Sequence, residues 1–72
     1  MPEIDIPAHI TGTVWRIEVQ PGDEVDEGDT VVILESMKME MPVEAEDSGV
    51  VKEIKVEEGE SVSEGDTLVV LE

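Results

Sequence analysis

The chain contains no cysteine among its 72 residues, and Trp15 is its single aromatic residue. Without cysteine, neither a disulfide framework nor a thiolate metal site can stabilise the fold. With one aromatic residue, the hydrophobic core has to be built from Val, Ile, Leu, Met and Ala. A chain of this length forms one small domain that buries only about 60% of the surface of its unfolded form. A large catalytic cleft is therefore not expected.

Basic residues are also scarce, since four of them stand beside twenty acids and give a formal net charge of −16. This charge argues against a nucleic-acid or anionic-membrane partner, because both bind basic surfaces. We interpret the acids as a solvated surface. No apolar run approaches the ~18 residues of a membrane span, and no charged-then-apolar signal opens the chain. The expected location is the cytoplasm.

The sequence repeats itself after a shift of 37 positions. Residues 12–35 and 49–72 align without a gap, and 13 of these 24 positions are identical, too many for coincidence. Weaker matches extend the repeat upstream, so that the two copies occupy residues 4–35 and 41–72. The connector between them runs from Ser36 to Glu40, with Lys38 at its centre.

Each copy has the alternation of apolar and polar residues that is typical of strands, and no window offers ten residues of helical periodicity. Gly-containing turns separate the apolar segments. The predicted strands lie at Ile4 to Ile6, Val14 to Val19, around Val25 and at Val31 to Leu34, and again at Met41 to Ala45, Val51 to Val56, around Val62 and at Leu68 to Leu71.

Eight strands in two similar units predict a single all-β domain over residues 1–72. We expect a flattened eight-stranded barrel or sandwich of two four-stranded halves with quasi-two-fold symmetry, which removes exposed sheet edges. The glycines of the repeat are interpreted as turn residues, because no phosphate-binding glycine pattern opens a helix. Under the symmetry, the turn that carries Lys38 corresponds to the chain ends, and we expect it at the end of the barrel opposite both termini.

The connector is short enough to require a tight hairpin. If Met37 and Lys38 form a two-residue loop, Ser36 faces Met39 and Glu35 faces Glu40 across it. Two-residue turns favour Asn-Gly or Asp-Gly, so that Met-Lys is a poor choice for folding alone. A local rule broken in this way is typical of a functional site. By itself, however, an exposed lysine usually has no function, and methionines are often gap-fillers.

The sequence Glu35-Ser36-Met37-Lys38-Met39 in the middle of this repeat resembles the biotinyl and lipoyl attachment domains, and among them the biotin carboxyl carriers. Biotin-accepting members have Met-Lys-Met at the turn, whereas lipoyl domains have an acidic residue before the lysine and a small one after it. The resemblance covers all 72 residues. It implies a flattened eight-stranded barrel with the modified lysine on the hairpin between the fourth and fifth strands.

The resemblance also implies the function. Biotin would be the cofactor, joined covalently to Lys38 by a biotin protein ligase that recognises Met37, Met39, Glu35, Ser36 and Glu40. The domain would then shuttle carboxybiotin between the biotin carboxylase and the carboxyltransferase subunits of an acyl-CoA carboxylase. It would be a non-catalytic carrier, because the cofactor supplies the chemistry and the protein positions it.

The chain departs from the family pattern in three places. Family members often have Ala-Pro-Met-Pro-Gly where this chain has Ala8-His9-Ile10-Thr11-Gly12. The gapless repeat has no room for the protruding thumb of some bacterial carriers, and no Ala/Pro-rich linker precedes the first strand. We therefore expect a free-standing carrier or a domain cut tightly at its edges.

His9 precedes the second strand and is expected near the lysine turn, where it would contact the ligase or biotin. The simpler interpretation is an ordinary exposed histidine, because a lone His without partner residues rarely carries chemistry.

Three alternatives remain beside the carboxylase carrier. The chain would be a lipoyl carrier of an oxidative multienzyme complex, the carrier of a biotin-dependent decarboxylase, or an unmodified barrel that serves in assembly. Metal binding is not favoured, because no acidic cluster has a calcium-loop pattern.

Overall fold

The computed structural model describes residues 3–72, and every element in this range is a β-strand. The strands are β1 (Ile4–Pro7), β2 (Gly12–Ile17), β3 (Glu24–Val25), β4 (Thr30–Ser36), β5 (Met39–Glu44), β6 (Gly49–Ile54), β7 (Ser61–Val62) and β8 (Thr67–Leu71). The described part of the chain therefore has no helix that could span a membrane. The eight predicted strands are confirmed.

The strands form two four-stranded antiparallel sheets, in the orders β1-β8-β6-β3 and β5-β4-β2-β7. Each sheet takes two strands from each repeat, so neither repeat forms a sheet by itself. The shift of 37 residues exchanges the sheets strand for strand, which confirms the predicted quasi-two-fold architecture. The sequence repeat is thus the unit that the symmetry relates, but one repeat does not form a sheet without strands from the other.

The core lies between the sheets and is entirely apolar in the described residues. Its centre comes from β4 and β8, each of which lies between two other strands. The fully buried residues there are Val31, Val32, Leu34, Leu68, Val69 and Leu71. Val, Leu and Ala provide most of its fully buried side chains, as expected for a chain nearly free of aromatic residues. The core extends along a molecule of 36 × 17 × 17 Å.

The second strand of each repeat ends earlier than predicted. Val19 and Val56 are buried, but β2 ends at Ile17 and β6 at Ile54. One further backbone bond, from Glu18 N–H to the Val31 carbonyl, follows β2 before the chain turns away. Apolar alternation therefore marks burial correctly here and overestimates the length of the strand pairing.

The described chain ends meet beside each other, because Ile4 pairs with Leu71 and the next residue, Glu72, exchanges backbone hydrogen bonds with Val50. The lysine turn pairs with none of these residues. This separation agrees with the predicted layout. Met1, which the symmetry relates to Lys38, lies outside the described residues.

An ion pair between Glu3 and Lys52 ties the first described residue to β6. The hydrogen bond from Lys52 to the Glu3 carboxylate, and then the charge of that carboxylate, raise the pKa of Lys52 above its ordinary value. Any stabilisation that follows from the raised pKa of Lys52 is present below the ordinary lysine pKa. It is lost as the pH rises through the raised pKa of Lys52 in the folded protein.

Turn glycines show the backbone constraint that the repeat predicts. Gly22 and Gly59 occupy equivalent turns with φ of +96° and +91°, and a Cβ added at either would meet nothing within 4 Å. Any cost of a side chain at these positions therefore comes from the backbone conformation and not from crowding.

Replacing Gly22 with valine should lower the free energy of unfolding by about 1–3 kcal/mol, because a β-branched residue adopts positive φ poorly. Gly22→Asn is the matched variant and should lose less, since asparagine tolerates this region. Chemical denaturation measures both. Equal stability of the two variants would contradict a backbone origin of the effect.

Candidate functional site

The turn between β4 and β5 consists of Met37 and Lys38, with the predicted register on either side. Leu34 lies opposite Met41, Glu35 opposite Glu40 and Ser36 opposite Met39. Leu34 is fully buried, and the alternation of faces along a strand then fixes the facing direction of each residue up to the turn. The core thus determines where the turn falls.

Met37 and Lys38 have φ of +52° and +65°, and they are the only non-glycine residues with positive φ in the described chain. Positive φ at both central residues is the signature of the type I′ turn, which suits the right-handed twist of a hairpin. Asn-Gly adopts this turn at low cost, whereas Met-Lys carries backbone strain. The positive φ values agree with the prediction that Met-Lys is a poor choice for this turn on folding grounds alone.

The Lys38 side chain is exposed and forms no hydrogen bond or ion pair with residues 3–72. The two ion pairs within residues 3–72 join Lys52 to Glu3 and Lys55 to Glu53. The carboxylates nearest to Lys38 along the hairpin, Glu35 and Glu40, are also exposed and form no ion pair with it. Its amine is therefore available to a reagent from outside.

Three exposed methionines lie on the hairpin that carries this lysine. Met37 is 92% exposed, Met39 61% and Met41 38%. Met39 and Met41 occupy alternate positions on β5 and therefore share a face, which continues to the buried Val43. The hydrophobic core thus runs out to the surface beside the lysine and ends in adaptable apolar side chains. The alternation in the sequence predicts Met41 only as a strand residue, although its spacing of two from Met39 is the signal that the two share a face.

Gly12, the first residue of β2, lies against the base of the hairpin. A Cβ added to it would lie 2.6 Å from the Glu35 carbonyl oxygen. Its symmetry counterpart Gly49 would place a Cβ 3.1 Å from the Glu72 carbonyl oxygen, at the chain end. Only a residue without a side chain allows β2 to support the hairpin at this distance. The interpretation of the repeat glycines as turn residues is wrong for Gly12, which begins β2 and is not among the glycines with positive φ. The sequence did not predict its close approach to the hairpin.

His9 does not lie at the turn. It lines a shallow groove of about 400 Å³ together with Gly28, Pro42, Ala45 and three glutamates, and no residue of the range 35–40 contributes to that groove. The groove lies near the start of β4 and the end of β5. No group of His, Asp or Glu side chains in residues 3–72 has the geometry of a metal site. A contact of His9 with the ligase or biotin stays a prediction.

Met37→Asn should raise the free energy of unfolding by about 0.5–1 kcal/mol, because asparagine adopts the first position of a type I′ turn with less strain. Met39→Asn is the control and should give no gain, since Met39 lies within the strand. Thermal or chemical unfolding distinguishes them. If the two variants change stability alike, the turn is not the source of strain.

Gly12→Ala should destabilise the domain by about 1–3 kcal/mol, because the added methyl group forces β2 away from the Glu35 carbonyl. It should also shift the amide NMR signals of the residues around Lys38. Gly49→Ala makes the same change at the symmetric position, where the added Cβ would lie 3.1 Å from the Glu72 carbonyl oxygen, and should cost less. Hairpin signals that stay in place in Gly12→Ala would show that Gly12 does not position the turn.

The comparisons with known proteins agree with this geometry. Residues 2–71 match the family model described as biotin-requiring enzyme. The chain is 54% identical over 41 residues to biotinylated protein TB7.3 of Mycobacterium tuberculosis, an alignment that covers 57% of this chain and 58% of that protein.

Two solved structures contain a similar domain. Urea carboxylase of Kluyveromyces lactis superposes with a TM-score of 0.92 and 37% identity, over 99% of this chain and 6% of that one. A single-chain, multi-domain long-chain acyl-CoA carboxylase superposes with a TM-score of 0.88 and 32% identity, over 94% of this chain and 7% of that one. Since the family model covers nearly the whole described fold, the chain belongs to the biotin/lipoyl attachment family of biotin-requiring enzymes and is a non-catalytic biotin carrier domain of the kind found in biotin-dependent carboxylases.

Proposed function

We propose that Lys38 is the residue that carries biotin, and that the domain moves the attached group between a biotin carboxylase and a carboxyltransferase. The observation that supports this most strongly is the strained two-residue turn, which presents an unpaired lysine between two exposed methionines. The other two lysines, Lys52 and Lys55, are held in ion pairs on the surface. Lys38 is thus the one lysine at a hairpin tip and the one without an ion-pair partner in residues 3–72.

Attachment requires little of the domain itself. The Lys38 amine attacks the carbonyl carbon of an activated biotin carboxyl group that the ligase supplies. A C–N bond forms, the activating group leaves with the bonding electrons, and the nitrogen loses its proton to give a neutral amide. Once attached, biotin supplies the carboxyl-carrying chemistry. The hairpin contributes position, because the core fixes its register while its tip is exposed to solvent.

The surroundings of Lys38 support a role in recognition. Met37 and Met39 offer flexible apolar contacts that adapt to more than one partner. Glu35 and Glu40 face each other below the turn, and Ser36 lies between Glu35 and Met37. In the proposal, the ligase recognises these five residues together, so that a lysine elsewhere on an acidic surface is not modified.

The partners that we propose are the biotin carboxylase and carboxyltransferase subunits of an acyl-CoA carboxylase, in the cytoplasm. The similarity to a long-chain acyl-CoA carboxylase domain supports an acyl-CoA substrate. A tethered group reaches a second active site through its effective concentration and not by free diffusion. In the proposal, the partner subunit determines which acyl-CoA reacts.

Lys38→Arg should abolish biotin attachment, because the guanidinium is not a nucleophile under these conditions, and should change stability by no more than about 0.5 kcal/mol. The assay incubates the purified protein with a biotin protein ligase, ATP and biotin, and measures intact mass and streptavidin binding. Lys52→Arg is the control and should be labelled like the unchanged protein.

Parallel incubation with a lipoate ligase and lipoate tests the other attachment. Lipoylation without biotinylation would replace the proposal with a lipoyl carrier. Labelling of Lys38→Arg to the normal extent would refute the assignment of this residue.

A further inference from the structure

The internal symmetry allows each surface of one sheet to be compared with its counterpart on the other. On the outer face of each sheet, three paired residues from neighbouring strands form a row. One row lies on β2, β4 and β5, and the symmetry-equivalent row lies on β6, β8 and β1. The first row consists of Arg16, Ile33 and Pro42, and the second of Glu53, Val70 and Asp5. One row therefore has a cation and two apolar residues where the other has two anions.

Trp15 adds to this difference. It lies at the irregularity in the pairing of β2 with β4, and it is 41% exposed. Its counterpart in the second repeat is Lys52. Ile33 lies between the buried Val32 and Leu34, which places it on the outer face. Together, Trp15, Arg16, Ile33 and Pro42 form the surface that we call the Trp15 patch.

Arg16 has no ion-pair partner among the described residues, although the chain carries twenty acids. Its guanidinium carbon instead lies 4.9 Å from the centroid of the Trp15 ring. Stacking on the indole holds the guanidinium in place while leaving its hydrogen-bond donors free. The patch thus presents an apolar surface beside an ordered, unpaired cation, a combination that is enriched at the centres of protein interfaces.

The patch lies on the sheet that carries the lysine. Ile33 comes three residues before Ser36, and Pro42 three residues after Met39. At the rise of an extended strand, this is about 10 Å from the ends of the turn. A protein that binds the hairpin tip closely also covers this part of the outer face.

We propose that the Trp15 patch is a docking surface for the ligase that acylates Lys38. The ligase would contribute an apolar depression that receives the indole and a carboxylate that pairs with Arg16. This rests on the proposed function of Lys38. The ligase is the partner that has to approach most closely, because its reaction occurs at the amine on the short stem of Lys38 itself. A carboxylase acts at the far end of the attached group. A second copy of this chain is disfavoured by its own charge of −16.

The test is the steady-state kinetics of biotinylation with varied carrier concentration. Arg16→Glu should raise KM for the carrier by at least about threefold, and Trp15→Ala by about tenfold, with kcat unchanged because the hairpin is intact. Lys55→Glu is the matched control, since it makes the same change in charge at the start of the loop after β6, and its KM should stay within twofold of the unchanged protein. Circular dichroism melting curves verify that each variant is folded.

KM values of both patch variants within twofold of Lys55→Glu would overturn the proposal, while normal labelling of the unchanged protein would leave the function of Lys38 intact. An increase of KM in Lys55→Glu equal to that in Arg16→Glu would also overturn it, because net charge would then explain the effect.

Trp15 provides a second, independent measurement, since it is the single tryptophan of the chain. In carrier labelled with 5-fluorotryptophan, the one ¹⁹F NMR signal should shift or broaden when unlabelled ligase is added. An unchanged signal at a ligase concentration that supports labelling would contradict docking. A change that depends on carrier concentration without ligase would assign the patch to self-association instead.

Discussion

The pairing of strands from both repeats within each sheet is the constraint on which the rest of the structure depends. Because β4 of the first repeat lies between β2 of the same repeat and β5 of the second, the link between β4 and β5 has to be a tight hairpin. The buried residues of β4 fix its register, and the register leaves two residues for the turn. The position of Lys38 thus follows from the packing of a core that lies well below it.

The strain in this turn is supported by the same packing. Two residues with positive φ persist where neither is glycine, because the flanking strand pairs and the core hold the reversal in place. The result is a rigid platform with exposed, flexible side chains at its tip. A carrier needs this combination, since the enzyme that modifies the lysine and the enzymes that use the attached group have to find the same residue in the same place. The domain positions the lysine by means of the tight turn, while the chemistry belongs to the attached group and the enzymes that act on it.

Much of this could be predicted from the sequence. The repeat at 37 residues gave the eight strands and the symmetry, and the short connector around Lys38 gave the register of the hairpin, which the structure confirms. These features depend on local alternation and on counting residues, both of which are visible in one chain. The interleaving of the repeats was not visible, because strand order within a sheet depends on long-range packing that alternation does not encode.

The sequence also failed at particular residues for physical reasons. Val19 and Val56 are buried without being strand residues, since burial and pairing are separate properties. The importance of Gly12 depends on a 2.6 Å approach to a backbone oxygen that no motif reports. His9 follows β1 and lines a groove near the start of β4 and the end of β5, to which no residue of the range 35–40 contributes. Apolar alternation does not encode the path of the loop that carries it.

The central claim is that the fold selects one lysine of three, and peptide mapping of the ligase-labelled protein tests it most directly. After labelling to completion, proteolysis and tandem mass spectrometry locate biotin among Lys38, Lys52 and Lys55. The account predicts biotin on Lys38 alone. Biotin distributed over Lys52 or Lys55, or its absence from Lys38, would contradict it.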